Sequence, residues 1–146
     1  MKLLKLNLGC GDKPLRGAIN IDNRDLPGVD KVRDLARGIP CEAGTVGFIY
    51  ASHVIEHLMP DRAVALITDM HRALAPGGLA VIIMPPVGVG HDVLAFQDPT
   101  HRTFWSPGVW TYFRVDHHYR LTIDFAGFRA VGVKIEGHVM IATLWR

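Results

Sequence analysis

The feature that most constrains the fold is an unbroken apolar run over residues 79–84 (`LAVIIM`), directly after a Pro-Gly-Gly sequence. Runs of this kind are typical of a parallel β-strand that is covered on both faces. The preceding segment begins at Pro60 and repeats apolar residues with helical spacing. Its helix should end at the Pro-Gly-Gly sequence. A helix followed by a doubly covered strand predicts helices packed on an open sheet.

Shorter segments complete the pattern. Residues 3–8, 18–22 and 48–52 are predicted strands, and residues 131–145 are predicted to form an antiparallel hairpin with a tight turn at 136–138. This order predicts an α/β fold: a Rossmann-like open, mostly parallel sheet that ends in a hairpin. The connection between Gly11 and Ala18 is too short for a full crossover between parallel strands, which needs about a dozen residues. We therefore expect the first crossover helix to be reduced to a turn.

Length and composition limit the classes of function. With 146 residues and a net charge of +2, we expect one domain over residues 1–146 and no basic surface for nucleic acid. The longest apolar stretch is too short and too interrupted by proline for a membrane span. The two cysteines are expected to be free thiols, which favours a cytoplasmic protein.

Residues 85–128 are rich in proline, glycine, histidine and aromatic residues, which favours an insertion that binds substrate or covers a pocket. Its aromatic side chains could wall an acceptor pocket, or they could pack on the sheet, which we expect for most of them. These side chains are Phe104, Trp105, Trp110, Tyr112 and Phe113.

A glycine loop follows the first strand. Gly9 and Gly11 would let the backbone approach a ligand, but Pro14 stands where a dinucleotide fingerprint needs its third glycine. A ligand without phosphates therefore fits better. Asp22 ends the second strand, where a carboxylate can bind both hydroxyls of a ribose. Asp34 could accept a hydrogen bond from an adenine amine while Leu35 covers the ring. Taken singly, each feature also has an ordinary explanation as a tight turn or a solvated carboxylate.

In their order, the segments `LNLGCG`, `GAINIDN`, `VRDLARGIP`, `FIYASHVIEHL` and `HRALAPGGLAVIIMP` resemble the class I S-adenosylmethionine-dependent methyltransferases, in particular their compact single-domain members. The resemblance implies S-adenosylmethionine as cofactor and a small molecule or sugar as acceptor, methylated on oxygen or nitrogen. Asn7 departs from the family, because many relatives carry an acidic residue there. The implied cofactor-binding residues are Asn7, Leu8, Gly9, Cys10, Gly11, Asp22, Asn23, Asp34, Leu35, Ser52 and His53.

The segment `HVIEH`, residues 53–57, matches a zinc-peptidase pattern, but Pro60 allows only a very short helix there. Ubiquinone-pathway O-methyltransferases and small-RNA 2′-O-methyltransferases have a similar segment that binds a divalent metal. The stretch `FQDPTHRTFW` resembles their source of a further histidine. The main prediction contains no metal. The resemblance implies, as an alternative, a metal-assisted O-methyltransferase that uses His53, Glu56, His57 and His101.

Methyl transfer from a sulfonium depends mostly on alignment, and a base is needed only when the acceptor must lose a proton. The candidate catalytic bases are His53, beside the expected methyl position, and His101, on the covering loop. Two further hypotheses stay open. One is an NAD or nucleotide-sugar enzyme, which Pro14 and the terminal hairpin disfavour. The other is a non-catalytic S-adenosylmethionine-binding module or partner subunit, and a homo-oligomer is compatible with any of these.

Overall fold

The computed structural model describes residues 2–90, 92–116 and 127–146. The described residues form a seven-stranded sheet in the order β3-β2-β1-β4-β5-β7-β6. Strands β1 to β5 are parallel, whereas β7 runs antiparallel to both β5 and β6. The predicted open, mostly parallel sheet with a terminal hairpin is therefore confirmed. The strands are β1 (Leu4–Leu8), β2 (Ile19–Asp22), β3 (Lys31–Val32), β4 (Val46–Ser52), β5 (Leu74–Met84), β6 (Ala130–Glu136) and β7 (Val139–Trp145).

Two α-helices and three short 3₁₀ helices accompany the sheet in the described part of the chain. The α-helices are α1 (Pro60–Ala73) and α2 (Val93–Gln97). The 3₁₀ helices are Leu35–Arg37, Ile55–His57 and Pro107–Phe113. None of the helices among the described residues combines the length and the apolar content that a membrane span needs. The sequence also predicts helical pieces over residues 111–128 that end at Gly127, and residues 117–126 of this segment lie outside the described residues.

The prediction that Pro76–Gly78 separates helix from strand was wrong. Helix α1 ends at Ala73 because Leu74 is already extended (φ −62°, ψ 141°), and β5 begins at that residue. Leu74 pairs with Val46, and the register shifts before Leu79 pairs with Phe48. The Pro-Gly-Gly sequence is thus an irregularity inside an 11-residue strand, where Gly77 takes the left-handed conformation (φ 79°). For the same reason β4 begins at Val46 rather than at residue 48.

The first crossover is a turn, as predicted. No helix lies between β1 and β2, where every residue is described. A buried amide holds the connection instead. Oδ1 of Asn20 accepts hydrogen bonds from the Leu15 backbone N–H at 2.7 Å and from Nδ2 of Asn7 at 2.9 Å, while its Nδ2 donates to Asp30 Oδ2 at 3.0 Å. The glycine loop therefore lacks the helix N-terminus that phosphate-binding loops use.

The core lies mainly against one face of the central strands, because alternate residues of β4, β5 and β7 are buried while most of those between them are partly exposed. The prediction that residues 79–84 are covered on both faces therefore holds fully for one face only, since Leu79, Val81 and Ile83 are partly exposed.

Helix α1 buries one apolar stripe, and three of the five aromatic side chains singled out in the sequence join the same core cluster. Trp105 stacks on Trp110 with ring centroids 5.1 Å apart. Phe104 and Tyr112, in contrast, are 49% and 37% exposed. The expectation that most of these aromatics pack on the sheet is therefore correct. The buried α1 residues are Ala63, Leu66, Ile67, Met70 and Ala73, and the buried aromatics are Trp105, Trp110 and Phe113.

Gly9 joins the end of β1 to the segment after β4. Its backbone is left-handed (φ 62°), and a Cβ at this position would overlap Cγ2 of Val54. Glycine is needed here on both counts, because other residues rarely adopt this conformation and would not fit against Val54.

Gly9→Ala should lower the free energy of unfolding by about 2–5 kcal/mol, since it adds an overpacked contact to the cost of a left-handed alanine. Gly44→Ala is the matched control, because Gly44 has φ 71° and no atom lies within 4 Å of the place that an added methyl group would take. It should cost only about 1–2 kcal/mol. Urea denaturation measures both. Equal losses in the two variants, or failure of Val54→Ala to restore part of the loss in the Gly9 variant, would contradict this explanation.

Candidate functional site

A cavity of about 580 Å³ opens at the carboxyl ends of β1, β2 and β4. Open α/β sheets bind ligands at this edge, and the volume lies in the range of small-molecule pockets. Gly9 follows β1, Asp22 ends β2, and His53 follows β4, so the topology brings three distant parts of the chain together. The cavity is lined by Gly9, Asp22, Asn23, Arg24, Arg33, Asp34, Leu35, His53, Val54, His57, Leu58 and Thr100.

Asp22 is the buried charge of this cavity, with 5% of its surface exposed. Its Oδ2 accepts a hydrogen bond from the Gly11 N–H at 2.8 Å. Its Oδ1 accepts two from Arg24, from the backbone N–H at 3.0 Å and from Nε at 3.2 Å. Burial alone would raise the pKa of Asp22, but these hydrogen bonds and the Arg24 charge outweigh it and lower the pKa. Asp22 is therefore an anion at neutral pH.

Arg24 occupies acceptor positions of the Asp22 carboxylate that a ligand could otherwise use. A carboxylate has about four acceptor positions, and the chain itself uses three of them. The Arg24 side chain is 63% exposed, so its bond to Asp22 is open to water and weak. A ligand that brings two hydroxyl donors can replace the guanidinium while the two backbone N–H groups keep the carboxylate in place.

Asp34 and Leu35 form another wall of the cavity. The Asp34 carboxylate accepts a hydrogen bond from the Ala36 N–H at 2.9 Å and so caps the 3₁₀ helix Leu35–Arg37. Leu35 is 7% exposed and belongs to the core cluster. The predicted adenine-binding pair thus lines the cavity, and Asp34 also has a structural role there.

Five of the predicted cofactor residues do not line the cavity. Leu8 and Cys10 are buried, and burial together with nearby Asp22 raises the pKa of the Cys10 thiol. Asn7 donates its amide to Asn20 and, at 3.2 Å, to the Lys13 carbonyl. Any contact that the buried Asn7, Leu8 and Cys10 make with a ligand in this cavity would come from the main chain. The five are Asn7, Leu8, Cys10, Gly11 and Ser52.

His53 has a left-handed backbone (φ 55°), which is uncommon for a residue with a side chain. Its N–H continues the sheet by donating to the Ile83 carbonyl at 2.8 Å. Its Nδ1 lies 3.0 Å from Oε1 of Glu56, and that hydrogen bond raises the pKa of the imidazole against the opposing effect of burial. With Nδ1 donating to Glu56, Nε2 is the nitrogen that can accept a proton.

The 3₁₀ helix Ile55–His57 confirms that the `HVIEH` segment holds only a very short helix. It brings together Glu56, His57 and His101, each of which offers one metal-binding atom within 4.8 Å of the other two. The His57 and His101 rings meet edge to face with centroids 4.9 Å apart. The His101 side chain is 6% exposed and does not line the cavity. His53 faces the cavity, half exposed.

Several cavity residues were not found from the sequence. Arg24 lies just after the end of β2, and Arg33 lies just after the two-residue strand β3. Strand β3 is too short to produce a periodic signal in the sequence. Val54 and Leu58 lie in the segment already singled out, whereas Thr100 reaches the cavity only through folding of the 98–103 loop. The residues missed are Arg24, Arg33, Val54, Leu58 and Thr100.

A family model described as "methyltransferase domain" matches residues 11–82. A search among curated protein sequences gives no significant match. A solved S-adenosylmethionine-dependent methyltransferase from Archaeoglobus fulgidus superposes with a TM-score of 0.69 and 16% identity, over 99% of this chain and 86% of that one.

Two other solved structures are similar. The 1,6-didemethyltoxoflavin-N1-methyltransferase from Burkholderia thailandensis, solved with 1,6-didemethyltoxoflavin and S-adenosylhomocysteine bound, has a TM-score of 0.61 and 14% identity, over 98% of this chain and 70% of that one. A protein solved in complex with the Trm112 methyltransferase activator of Haloferax volcanii has a TM-score of 0.63 and 12% identity, over 99% and 84%. The chain therefore has the fold of the class I S-adenosylmethionine-dependent methyltransferases, and the methyltransferase-domain model matches just under half of it.

The lowered pKa of Asp22 makes a prediction about pH. Its carboxylate stabilises the fold at neutral pH, and this contribution is lost as the pH falls from the unfolded-state value of 3.8 through the lower folded-state pKa. Asp22→Asn should therefore be less stable than wild type by about 1.5–3 kcal/mol at neutral pH, and the difference should shrink at about pH 3. Urea unfolding across this pH range measures it. A difference that does not change with pH would contradict the role given to the charge.

Proposed function

We propose that the protein transfers the methyl group of S-adenosylmethionine to a small-molecule or sugar acceptor bound in the 580 Å³ cavity. The observation that carries the proposal is the buried Asp22 carboxylate, fixed by the Gly11 N–H at the edge of the sheet where ligands bind. The related toxoflavin-pathway structure from Burkholderia thailandensis, which holds S-adenosylhomocysteine and a small acceptor, supports it.

In this proposal the cofactor lies across the ends of β1, β2 and β4. The ribose hydroxyls bind Asp22 in place of the Arg24 guanidinium, with Asn23 beside them. The adenine lies against Leu35, and its amine donates to Asp34. The methionine end follows the main chain of residues 7–11, and the methyl group lies next to Ser52 and His53. The positions of Asp22, Asp34 and His53 on one cavity support this path.

The chemical step moves one methyl group. A bond forms between the acceptor's oxygen or nitrogen and the methyl carbon, the carbon–sulfur bond breaks, and its electrons stay on sulfur to give neutral S-adenosylhomocysteine. The acceptor's proton must leave. His53 is the better placed of the two candidate bases, because its ring lines the cavity and Glu56 orients it. His101 does not line the cavity, and its Nδ1 lies 2.7 Å from the Ala95 carbonyl.

A partner-dependent or non-catalytic role is the second candidate. It is favoured by the similar protein that was solved with a methyltransferase activator. The two candidates differ in turnover and not in cofactor binding. Purified protein that binds S-adenosylhomocysteine but releases none from S-adenosylmethionine across a panel of hydroxyl and amine acceptors would favour the second.

Asp22→Ala should weaken S-adenosylhomocysteine binding by about 100-fold or more, because two hydrogen bonds to a charged carboxylate are lost at about 1.5–3 kcal/mol each. Isothermal titration calorimetry measures this. Asp61→Ala is the matched control, since Asp61 is an exposed carboxylate in the first turn of α1 and should leave binding unchanged. Unchanged affinity in the Asp22 variant would remove the ribose assignment.

His53→Asn should bind S-adenosylhomocysteine within about 3-fold of wild type and yet lower the rate of methyl transfer by about 100-fold or more, the usual contribution of a general base. Asparagine is chosen because it tolerates the left-handed backbone at this position. Release of S-adenosylhomocysteine with an acceptor found in the panel measures the rate. A rate equal to wild type would exclude His53 as the base.

A further inference from the structure

We infer that Glu56, His57 and His101 bind one divalent transition-metal ion in the cavity wall, and that the ion's open positions bind the oxygen of the methyl acceptor. The binding site stands on the geometry of these three residues. The role toward the acceptor rests on the proposed methyltransferase function. The inferred site differs from the four-residue set suggested by the sequence, because His53 is not among the ligands.

Hydrogen bonds leave the same nitrogen of each histidine free. Nδ1 of His101 lies 2.7 Å from the Ala95 carbonyl, which can only accept, so this nitrogen carries the proton. Thr100 donates its single hydroxyl proton to Oδ1 of Asp98 at 2.6 Å, and it therefore accepts from Nδ1 of His57 at 3.0 Å. In the neutral rings, both Nε2 atoms hold lone pairs. Hydrogen bonds at the far nitrogen are how proteins orient histidines that bind metals.

Glu56 supplies an independent observation. It is 1% exposed, and its Oε1 accepts from His53 at 3.0 Å. Its Oε2 is buried and accepts no hydrogen bond from any of the described residues. An unpartnered carboxylate oxygen in a protein interior costs several kcal/mol. A bound cation would remove that cost.

Hydrogen bonds between the 98–103 loop and the 3₁₀ helix hold the three candidate ligands close together. The loop that carries His101 is fastened to the 3₁₀ helix, because the Arg102 and Thr103 N–H groups both donate to the Glu56 carbonyl, at 2.7 and 3.1 Å. The Thr103 hydroxyl donates to the Ile55 carbonyl at 3.1 Å. Asp98 adds negative charge, with Oδ2 3.7 Å from Nε2 of His101. Ligands held in advance by such contacts lose little entropy on binding.

The donor set indicates the class of metal. Two imidazoles and one carboxylate suit Zn²⁺, Mn²⁺, Fe²⁺ or Co²⁺, whereas Mg²⁺ and Ca²⁺ prefer oxygen ligands. Ligands about 2.1 Å from one ion lie at most about 4.2 Å apart, and one possible ligand atom from each residue lies within 4.8 Å of those of the other two. A small side-chain rotation therefore closes the site.

The ion would border the cavity through one of its three ligands. His57 lines the same cavity as Gly9, Asp22 and His53. Three protein ligands leave coordination positions open, and a metal lowers the pKa of a bound hydroxyl. The bound oxygen then takes the methyl group as the carbon–sulfur bond breaks, and its proton passes to Nε2 of His53. This arrangement selects hydroxyl acceptors and so O-methylation.

The test titrates Co²⁺ into chelator-treated protein and follows visible absorption, with Zn²⁺ competition to obtain the affinity. Wild type should bind one ion saturably. Glu56→Gln, which keeps the bond to His53, and His101→Asn should each weaken binding by about 10–100-fold or more. His138→Asn, in the turn between β6 and β7, is the histidine control and should bind as wild type does. Circular dichroism verifies that each variant is folded.

Absence of saturable Co²⁺ or Zn²⁺ binding by wild type would overturn the inference. So would equal affinity in the Glu56 and His101 variants, or displacement of Co²⁺ by Mg²⁺ at comparable concentration. Calorimetry with S-adenosylhomocysteine on the same samples keeps the two proposals separate. Cofactor binding without metal binding rejects the metal site alone. Metal binding without cofactor binding rejects the proposed function together with the ion's role toward the acceptor, and it leaves the metal site in place.

Discussion

The hydrogen bond from the Gly11 N–H to Oδ2 of Asp22 is the contact on which the site depends, because it ties the loop after β1 to the end of β2. In a doubly wound sheet a crossover helix usually fixes these two strands relative to each other. Here the connection is a turn, and the buried Asn20 amide with the Asp22 carboxylate takes over that role. The Asp22 carboxylate thus both connects the loop after β1 to the end of β2 and gives the cavity a negative charge. Protein stability and ligand binding at this edge of the sheet therefore depend on the same group.

The other side of the cavity is formed by the segment that follows β4. The left-handed His53 turns the chain out of β4, and the short 3₁₀ helix then places Glu56 in the interior and His57 on the cavity. The 98–103 loop completes it by hydrogen bonding to this helix. In the proposed function, the rigid edge of the sheet binds the methyl donor and the loop contacts the acceptor. The strand ends are held by the ladder, whereas the loop only needs to satisfy a few backbone groups.

Much of this architecture could be predicted from the sequence. The apolar run of β5 and the two extended segments of the hairpin are clear in the sequence. Asp22 was identifiable because a carboxylate at a strand end lies where open sheets bind ligands. The two-residue β3 and the Pro-Gly-Gly irregularity within β5 could not be predicted, since pairing with neighbours, and not local propensity, makes them extended. Arg24 and Thr100 were missed for a similar reason: their places on the cavity follow from tertiary contacts. The roles assigned to individual cofactor residues remain predictions.

The central claim is that the cavity edged by Asp22 holds the nucleoside of S-adenosylmethionine. A crystal structure with S-adenosylhomocysteine tests this most directly. Both ribose hydroxyls should lie within about 3.2 Å of the Asp22 carboxylate, with the Arg24 side chain turned away and the Gly11 hydrogen bond kept. A nucleoside bound elsewhere, or an Arg24–Asp22 pair left intact beneath it, would contradict the claim.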